Sequence, residues 1–296
     1  MAEHYIDHAR VESRMGRRIQ TNRAVRGVFL ASTMFGLVVL AVLLYDVISD
    51  SLGWLDWNFL TSPPSFSAEN AGVAGAITGT LWLMLIVGPV TMVIGVATAI
   101  YLEEYVKKGR VRTFFETNIS NLAGVPSIVF GLLGLTVFVR LLGMGSVVLA
   151  GGLTMSLLVL PIVIVAAQEA LRAVPGYLRE ASYGMGATRW QTIRNVVLPA
   201  ALPSILTGMI LAMSRAIGET APLIAIGIPA LLIPLPSSVF DSFTVLPVQI
   251  YYWTIDAPLT AEYAYLAAAA IIVLLVIMFT LNSAAILIRN KFQKRF

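Results

Sequence analysis

An arginine and a glutamate four residues apart, Arg215 and Glu219, stand inside an otherwise apolar run that closes Gly218-Glu219-Thr220-Ala221-Pro222. Counted from a helix start near Leu202, Arg215 lies ~20 Å and Glu219 ~25 Å along the axis. An ion at the middle of a membrane costs about 2.5–3.5 kcal/mol, so such residues face a bundle interior or a wet cavity and mark function. The structural alternative is a pair that neutralises itself on one helix face. Arg before Glu is the less favourable order for that purpose, and Gly218 and Thr220 weaken the helix beside it. A guanidinium offers paired donors in a rigid fork and suits a tetrahedral oxyanion. Glu219 repels an anion unless the anion brings a proton, which monohydrogen phosphate does and sulfate does not. Alternatively, Glu219 holds Arg215 when no anion is present.

A second stretch, residues 171–199, is basic and amphipathic and lies between two apolar runs. It contains Glu180-Ala181-Ser182, then Gly186, then Val196-Val197-Leu198-Pro199. This spacing reads as a short helix ended by glycine, followed by a helix-stopping Leu-Pro, a rigid peg parallel to the membrane. A surface helix bound to anionic lipid through Arg189 and Arg194 would not require Gly186.

These two stretches need a membrane to position them. The chain is 58% hydrophobic and only 12% charged, with a mean hydropathy of +0.84, whereas a soluble domain carries about a quarter charged residues. The deficit is concentrated in runs long enough to cross ~30 Å of hydrocarbon. The expected class is an all-α polytopic membrane protein with six spans, near residues 25–47, 73–101, 119–142, 146–169, 200–224 and 263–288. Of 20 Lys and Arg, six precede or open the first span, and four each lie between spans two and three, between spans four and five, and after the last. Eighteen of the 20 therefore share one side, which the positive-inside rule makes cytoplasmic, with both termini inside. The exceptions are Arg140 and Arg215. The pI near 9.4 thus reflects topology and does not point to nucleic acid.

Along the chain, residues 1–24 read as a basic cytoplasmic tail, loosely structured or lying on the membrane surface. His4 and His8 have the spacing of a helical metal pair, but nothing nearby completes a site, so no metal is expected. The first apolar run is too long for a cleaved signal's core and reads as an anchor. Trp54, Trp57 and Phe59 suit the headgroup level, and Pro63-Pro64 stops any helix. Gly75 and Gly79 favour close helix packing, and Pro89 and Pro161 predict bends. Asn121-Leu-Ala-Gly-Val-Pro-Ser127 is either a hinge or a helix start. Residues 225–262 read as an ordered, proline-rich external loop with re-entrant or interfacial pieces. Residues 289–296 form a basic cytoplasmic tail. The chain has no cysteine, hence no thiolate chemistry, and no Walker-type phosphate loop, so it is not itself an ATP-hydrolysing motor.

Glu180-Ala-Ser, Gly186 and Leu198-Pro199 together resemble the "EAA loop" of ABC-importer permeases, with Ser182 for the third alanine and Val196 for an isoleucine. Ala123-Gly-Val-Pro-Ser-Ile-Val-Phe-Gly131, Arg215-Ala-Ile-Gly-Glu-Thr-Ala-Pro222 and Leu246-Pro-Val-Gln-Ile250 narrow the likeness to the PstA-type permeases of phosphate importers, from about residue 25 onward. The resemblance implies a type I ABC-importer permease fold in a bacterial inner membrane, within residues 25–288. It implies a non-catalytic subunit that binds no cofactor itself. The implied partners are a PstC-like permease, a PstB-like ATPase dimer using ATP and Mg, a PstS-like phosphate-binding protein, and membrane lipid. Glu180, Ala181, Gly186, Leu198 and Pro199 would dock the ATPase and couple the spans to it, in a rocking form of alternating access. Arg215 and Glu219, with Thr220 and Arg140, would belong to the anion path. Several relatives carry an arginine in span four where this chain has Val165. Arg140 either compensates for that loss or snorkels to the interface. The alternatives left by the sequence are an importer of sulfate or molybdate, or a proton-coupled carrier using Glu219.

Overall fold

The computed structural model describes residues 8–65, 67–229 and 235–292. His4 of the His4/His8 pair, Pro234 of the external segment, and Lys294 and Arg295 of the basic end lie outside them. The described residues are helical apart from turns, short loops and one isolated antiparallel bridge between Val147 and Ser242.

The chain divides after Asp50 into two units. The first is essentially α1 (His8–Ser51), a continuous helix of 44 residues. The stretch expected to be a loose tail is therefore helical from His8 onward, because no glycine pair or proline interrupts it before the apolar run. The apolar side chains of α1 from Val25 to Leu44 are exposed, as a lipid-facing helix requires.

The second unit contains α2 (Trp57–Thr61), capped by Asp56, whose carboxylate accepts from the Phe59 N–H at 2.7 Å. Then come α3 (Ala74–Ile100), α4 (Arg110–Leu122), α5 (Ser127–Gly134), α6 (Val148–Arg172), α7 (Gly176–Gly184), α8 (Arg189–Thr192), α9 (Leu198–Gly218), α10 (Ala221–Ala225), α11 (Leu246–Asp256) and α12 (Glu262–Phe292). Three of these junctions are π-turns: Tyr101–Tyr105 after α3, Leu135–Leu141 after α5 and Ile193–Val197 before α9.

Among the described residues five helical stretches are long and apolar enough to cross a membrane: Arg18–Ser51, Ala74–Tyr105, Val148–Arg172, Arg189–Gly218 and Glu262–Lys291. The third expected span, 119–142, is instead a broken pair. Its two parts, Arg110–Leu122 and Ser127–Leu141, meet at 98°. Pro126 disfavours helix at Val125, and Gly124 weakens it further, so the elbow falls where the sequence left hinge and helix start open.

The core is built on α3 against α6. The segment expected as an external loop enters it: Phe243, Leu246 and Val248 are fully buried. A Cβ on Gly151 of α6 would meet the Phe243 ring at 2.5 Å, so the ring occupies the space a side chain would fill. The Leu246 N–H donates to the Thr80 hydroxyl at 3.0 Å. The carbonyls of Asp241 and Val239 accept from Val148 and Leu149, at 3.1 and 2.8 Å, and so serve two of the unpaired donors that open α6. Asp241 fixes the turn behind them, accepting from the Ser237 hydroxyl at 2.8 Å and from the N–H groups of Ser237 and Ser238, both at 2.9 Å. Those donors, the Ser237 hydroxyl first, hold its carboxyl below the usual aspartate value.

Candidate functional site

Helix α9 carries Arg215 in its last turn and ends at Gly218. Glu219 is already extended, with φ −78° and ψ 127°, and the chain turns helical again only at Ala221. The expected run of helix to residue 224 is therefore broken at its charged point. Pro222 sits in the first turn of α10, where its missing N–H costs nothing. Irregular backbone at this depth persists where it is buried in protein or lines a water-filled cavity.

The break leaves Arg215 and Glu219 in contact, Nε to Oε1 at 3.2 Å. The arginine side chain remains 49% exposed and the glutamate 18%. A single 3.2 Å contact uses one of the five guanidinium N–H groups. The fork thus keeps donors free for an anion. Thr220, half-buried, adjoins the pair. The break is held from the other side by α5: a Cβ on Gly131 would approach Pro222 and Ala225 at 2.7 Å, so only glycine admits α10 there. Arg140 is not brought into this group by any hydrogen bond or ion pair among the described residues; it lies exposed in the π-turn after α5. A cavity of about 670 Å³ is apolar and lies between α3, α9 and α12, lined by Trp82, Met213 and Ile217 but not by Arg215.

The opposite end of the bundle holds a charge network not anticipated in the sequence. Glu103, in the π-turn after α3, meets Arg112 of α4 at 2.5 Å and Arg172 of α6 at 2.6 Å. Glu116 of α4 meets the same two arginines, at 2.9 and 2.5 Å. Gln168 donates to Glu103 at 3.2 Å. Glu103 and Arg112 are nearly sealed from solvent, at 8% and 10% exposure. Val165 lines a polar cavity of about 360 Å³ with Gln168, Arg172, Glu116, Ser120 and Asn121. The cation that shares a cavity with Val165 is thus Arg172, seven residues on, and not Arg140.

The next residue, Glu104, faces another partner. Arg179 of α7 reaches it through Nη2 at 2.9 Å and Nε at 3.2 Å. The same guanidinium donates to the carbonyls of Leu171 and Val174, at 2.9 and 2.8 Å, and so caps the end of α6. Arg189 of α8 lies 5.4 Å from the centre of the Tyr105 ring. The 176–192 segment is therefore fastened to the end of α3 at two points.

Within that segment Gly186 stands at φ +81°, two residues after α7 ends, with open space where a side chain would be. This is the left-handed residue that closes a helix. The Ala187 N–H returns to the Ser182 carbonyl at 3.2 Å. Glu180 and Ala181 are exposed on α7, and Tyr177 and Met185 project beside them. Leu198-Pro199 departs from expectation. These residues open α9 and do not stop a helix, and one apolar helical path runs Arg189–Gly218. Proline is tolerated there because it enters in the first turn after a π-turn.

Residues 91–293 match the family described as binding-protein-dependent transport system inner membrane component. "Phosphate transport system permease protein PstA 1" of Mycobacterium tuberculosis (strain H37Rv) is 35% identical, over 92% of this chain and 88% of that protein. "Probable ABC transporter permease protein YqgI" of Bacillus subtilis is 35% identical, over 66% of this chain and 68% of that protein. Among solved structures, a bacterial ABC transporter involved in the import of the acidic polysaccharide alginate aligns with a TM-score of 0.61 at 17% identity. That alignment covers 95% of this chain and the whole of the other.

Proposed function

The chain belongs to the family of binding-protein-dependent transport system inner membrane components, and on that premise we propose that it is a permease subunit of an ATP-driven importer of inorganic phosphate. Its fold is that of the type I ABC-importer permeases and it is a multi-pass membrane protein. The observation that carries the phosphate assignment is the likeness to a phosphate transport permease over nearly the whole chain. Arg215 on a broken helix, with donors to spare, is the chemistry such a substrate needs.

In this reading the protein lies in a bacterial cytoplasmic membrane and pairs with a PstC-like permease. A PstB-like ATPase dimer hydrolyses ATP with Mg on the cytoplasmic face, and a PstS-like protein delivers phosphate outside. Glu180, Ala181 and Gly186 present α7 to the ATPase. Arg179 and Arg189 pass its movement to the end of α3, next to the Glu103–Arg112–Arg172–Glu116 network that ties α3, α4 and α6 together. Leu198 and Pro199 act one step later, at the point where the segment becomes α9. Movement entering there reaches Arg215 along a continuous helix. Arg215, Glu219 and Thr220 line the anion path. Arg140 stands at the outer end of the π-turn, apart from the cavity that Val165 lines.

The test is labelled-phosphate uptake into cells lacking other phosphate transporters and supplied with this chain and its partner subunits. Uptake that competes with phosphate but not with sulfate or molybdate, and that stops when the ATPase is inactivated, supports the proposal. Uptake that persists without the ATPase makes the protein a secondary carrier.

A further inference from the structure

Helix α4 is amphipathic in an inverted sense. Its charged face, Arg112 and Glu116, turns into the protein and is paired there. Its apolar face turns out: Val111 is 65% exposed, Phe114 63%, Phe115 48% and Leu122 45%. Lys107 and Lys108 stand ahead of the helix and Arg110 opens it, all exposed and without an ion pair among the described residues. The neighbouring arginines Arg112, Arg172 and Arg179 are all paired. Beside them Tyr101 and Tyr105 stack at 6.5 Å and are also exposed.

Position selects the occupant. The limb beyond the elbow has eight α-helical and seven π-helical residues, at most roughly 22 Å long at 1.5 Å per residue. The hydrocarbon layer is ~30 Å thick. With its far end at the outer surface, that limb stops short of the cytoplasmic one, and the 98° bend lays α4 across the shortfall. A helix lying there has its apolar face among acyl chains and its flanking cations among headgroups. Each cation near an anionic leaflet contributes about 1 kcal/mol, and stacked tyrosines suit that boundary.

We propose that α4, with Lys107, Lys108 and Arg110, is a binding surface for anionic phospholipid of the cytoplasmic leaflet, setting the depth at which the elbow sits. The inference does not depend on what the chain transports. The apolar ring pair Phe114–Phe115 enters the acyl region, and the three cations hold phosphate headgroups. The inward pairs to Glu103 and Arg172 then transmit that depth to α3 and α6.

The chain has no cysteine, so a single spin label can be placed at Phe114→Cys or Phe115→Cys in the full chain with its copurifying subunits. In vesicles rich in phosphatidylglycerol the label should meet oxygen more readily than a water-soluble nickel chelate. In vesicles of phosphatidylcholine alone, or in a Lys107→Gln/Lys108→Gln/Arg110→Gln variant, the balance should shift toward the chelate. Labels that meet neither reagent would mean that a protein covers this face. Chelate access in every lipid would mean that it is solvated, and lipid burial indifferent to headgroup charge would remove the role of the cations. Any of these three results overturns the proposal.

Discussion

Glu103 and Glu104 are neighbours in the chain, yet they hold different parts of the molecule: Glu103 pairs with Arg112 and Arg172, and Glu104 with Arg179. Both lie in one π-turn, and because neighbouring side chains on a helical turn do not face the same way, each reaches its own partner. One residue closes that end of the bundle and the next ties it to the α7–α8 segment.

Cutting the second tie should uncouple the protein without unfolding it. Glu104→Gln and Arg179→Gln should each lower phosphate uptake several-fold while the complex keeps hydrolysing ATP. The reversed pair, Glu104→Arg with Arg179→Glu, should recover part of the loss. Phosphate moved per ATP consumed is the quantity to measure, and an unchanged ratio in both single variants would count against the linkage.

At the broken helix, Arg215→Gln should abolish uptake while leaving expression and assembly intact. Arg215→Lys should retain only a small part of the activity, because an ammonium is a point charge and cannot present a planar fork. Wild-type uptake by Arg215→Gln would make the Arg215–Glu219 pair structural.

Gly186→Ala meets no neighbouring atom, so its cost should be the backbone alone, about 1–2 kcal/mol for a left-handed residue with a Cβ. Gly186→Asp adds a charge on the exposed rim and should lose the ATPase on pull-down from detergent while the chain still inserts. Full recovery of the ATPase with Gly186→Asp would argue that this turn does not dock.

The turn held by Asp241 should respond to acid. The folded Asp241 carboxyl lies below its ordinary 3.8, so its contribution is present above that pH and is lost as pH falls through and beneath it. Proteolytic cleavage within 237–243 should accelerate below about 3.8 in wild type. Asp241→Asn should be cleaved at one pH-independent rate across the same window.

Much of this was legible in the sequence. Apolar runs located the spans at α3, α6 and α12 to within a few residues, whereas the first begins earlier and the fifth begins earlier and ends before Glu219. Glycine at 186 announced the left-handed turn. The elbow was less visible because α4 carries apolar residues on one face, Phe114, Phe115 and Leu122, so the span expected from 119 ran on across a right-angled bend. Leu198-Pro199 looked like a terminator because proline usually is one; entering behind a π-turn, it becomes an opening. The charge network was hidden for another reason. Glu103, Arg112, Glu116 and Arg172 are spread over some seventy positions, at places where charge is ordinary for a cytoplasmic loop. Only folding shows that they share one contact, with Glu103 and Arg112 nearly sealed from solvent. The signal that was available was the Glu103-Glu104 doublet, placed where an apolar helix ends.

The short limb between the elbow and Leu141 also has a consequence for where the protein works best. It packs against α6, Val148–Arg172, which like Ala74–Tyr105 is long enough to cross the hydrocarbon with residues to spare. A thicker bilayer is matched easily by those long helices, but the short limb must then draw the bilayer thinner around itself, at fractions of a kcal/mol per ångström of mismatch. Transport should therefore be tuned to acyl-chain length, fastest where the lipid is thin enough that this one limb is not stretched.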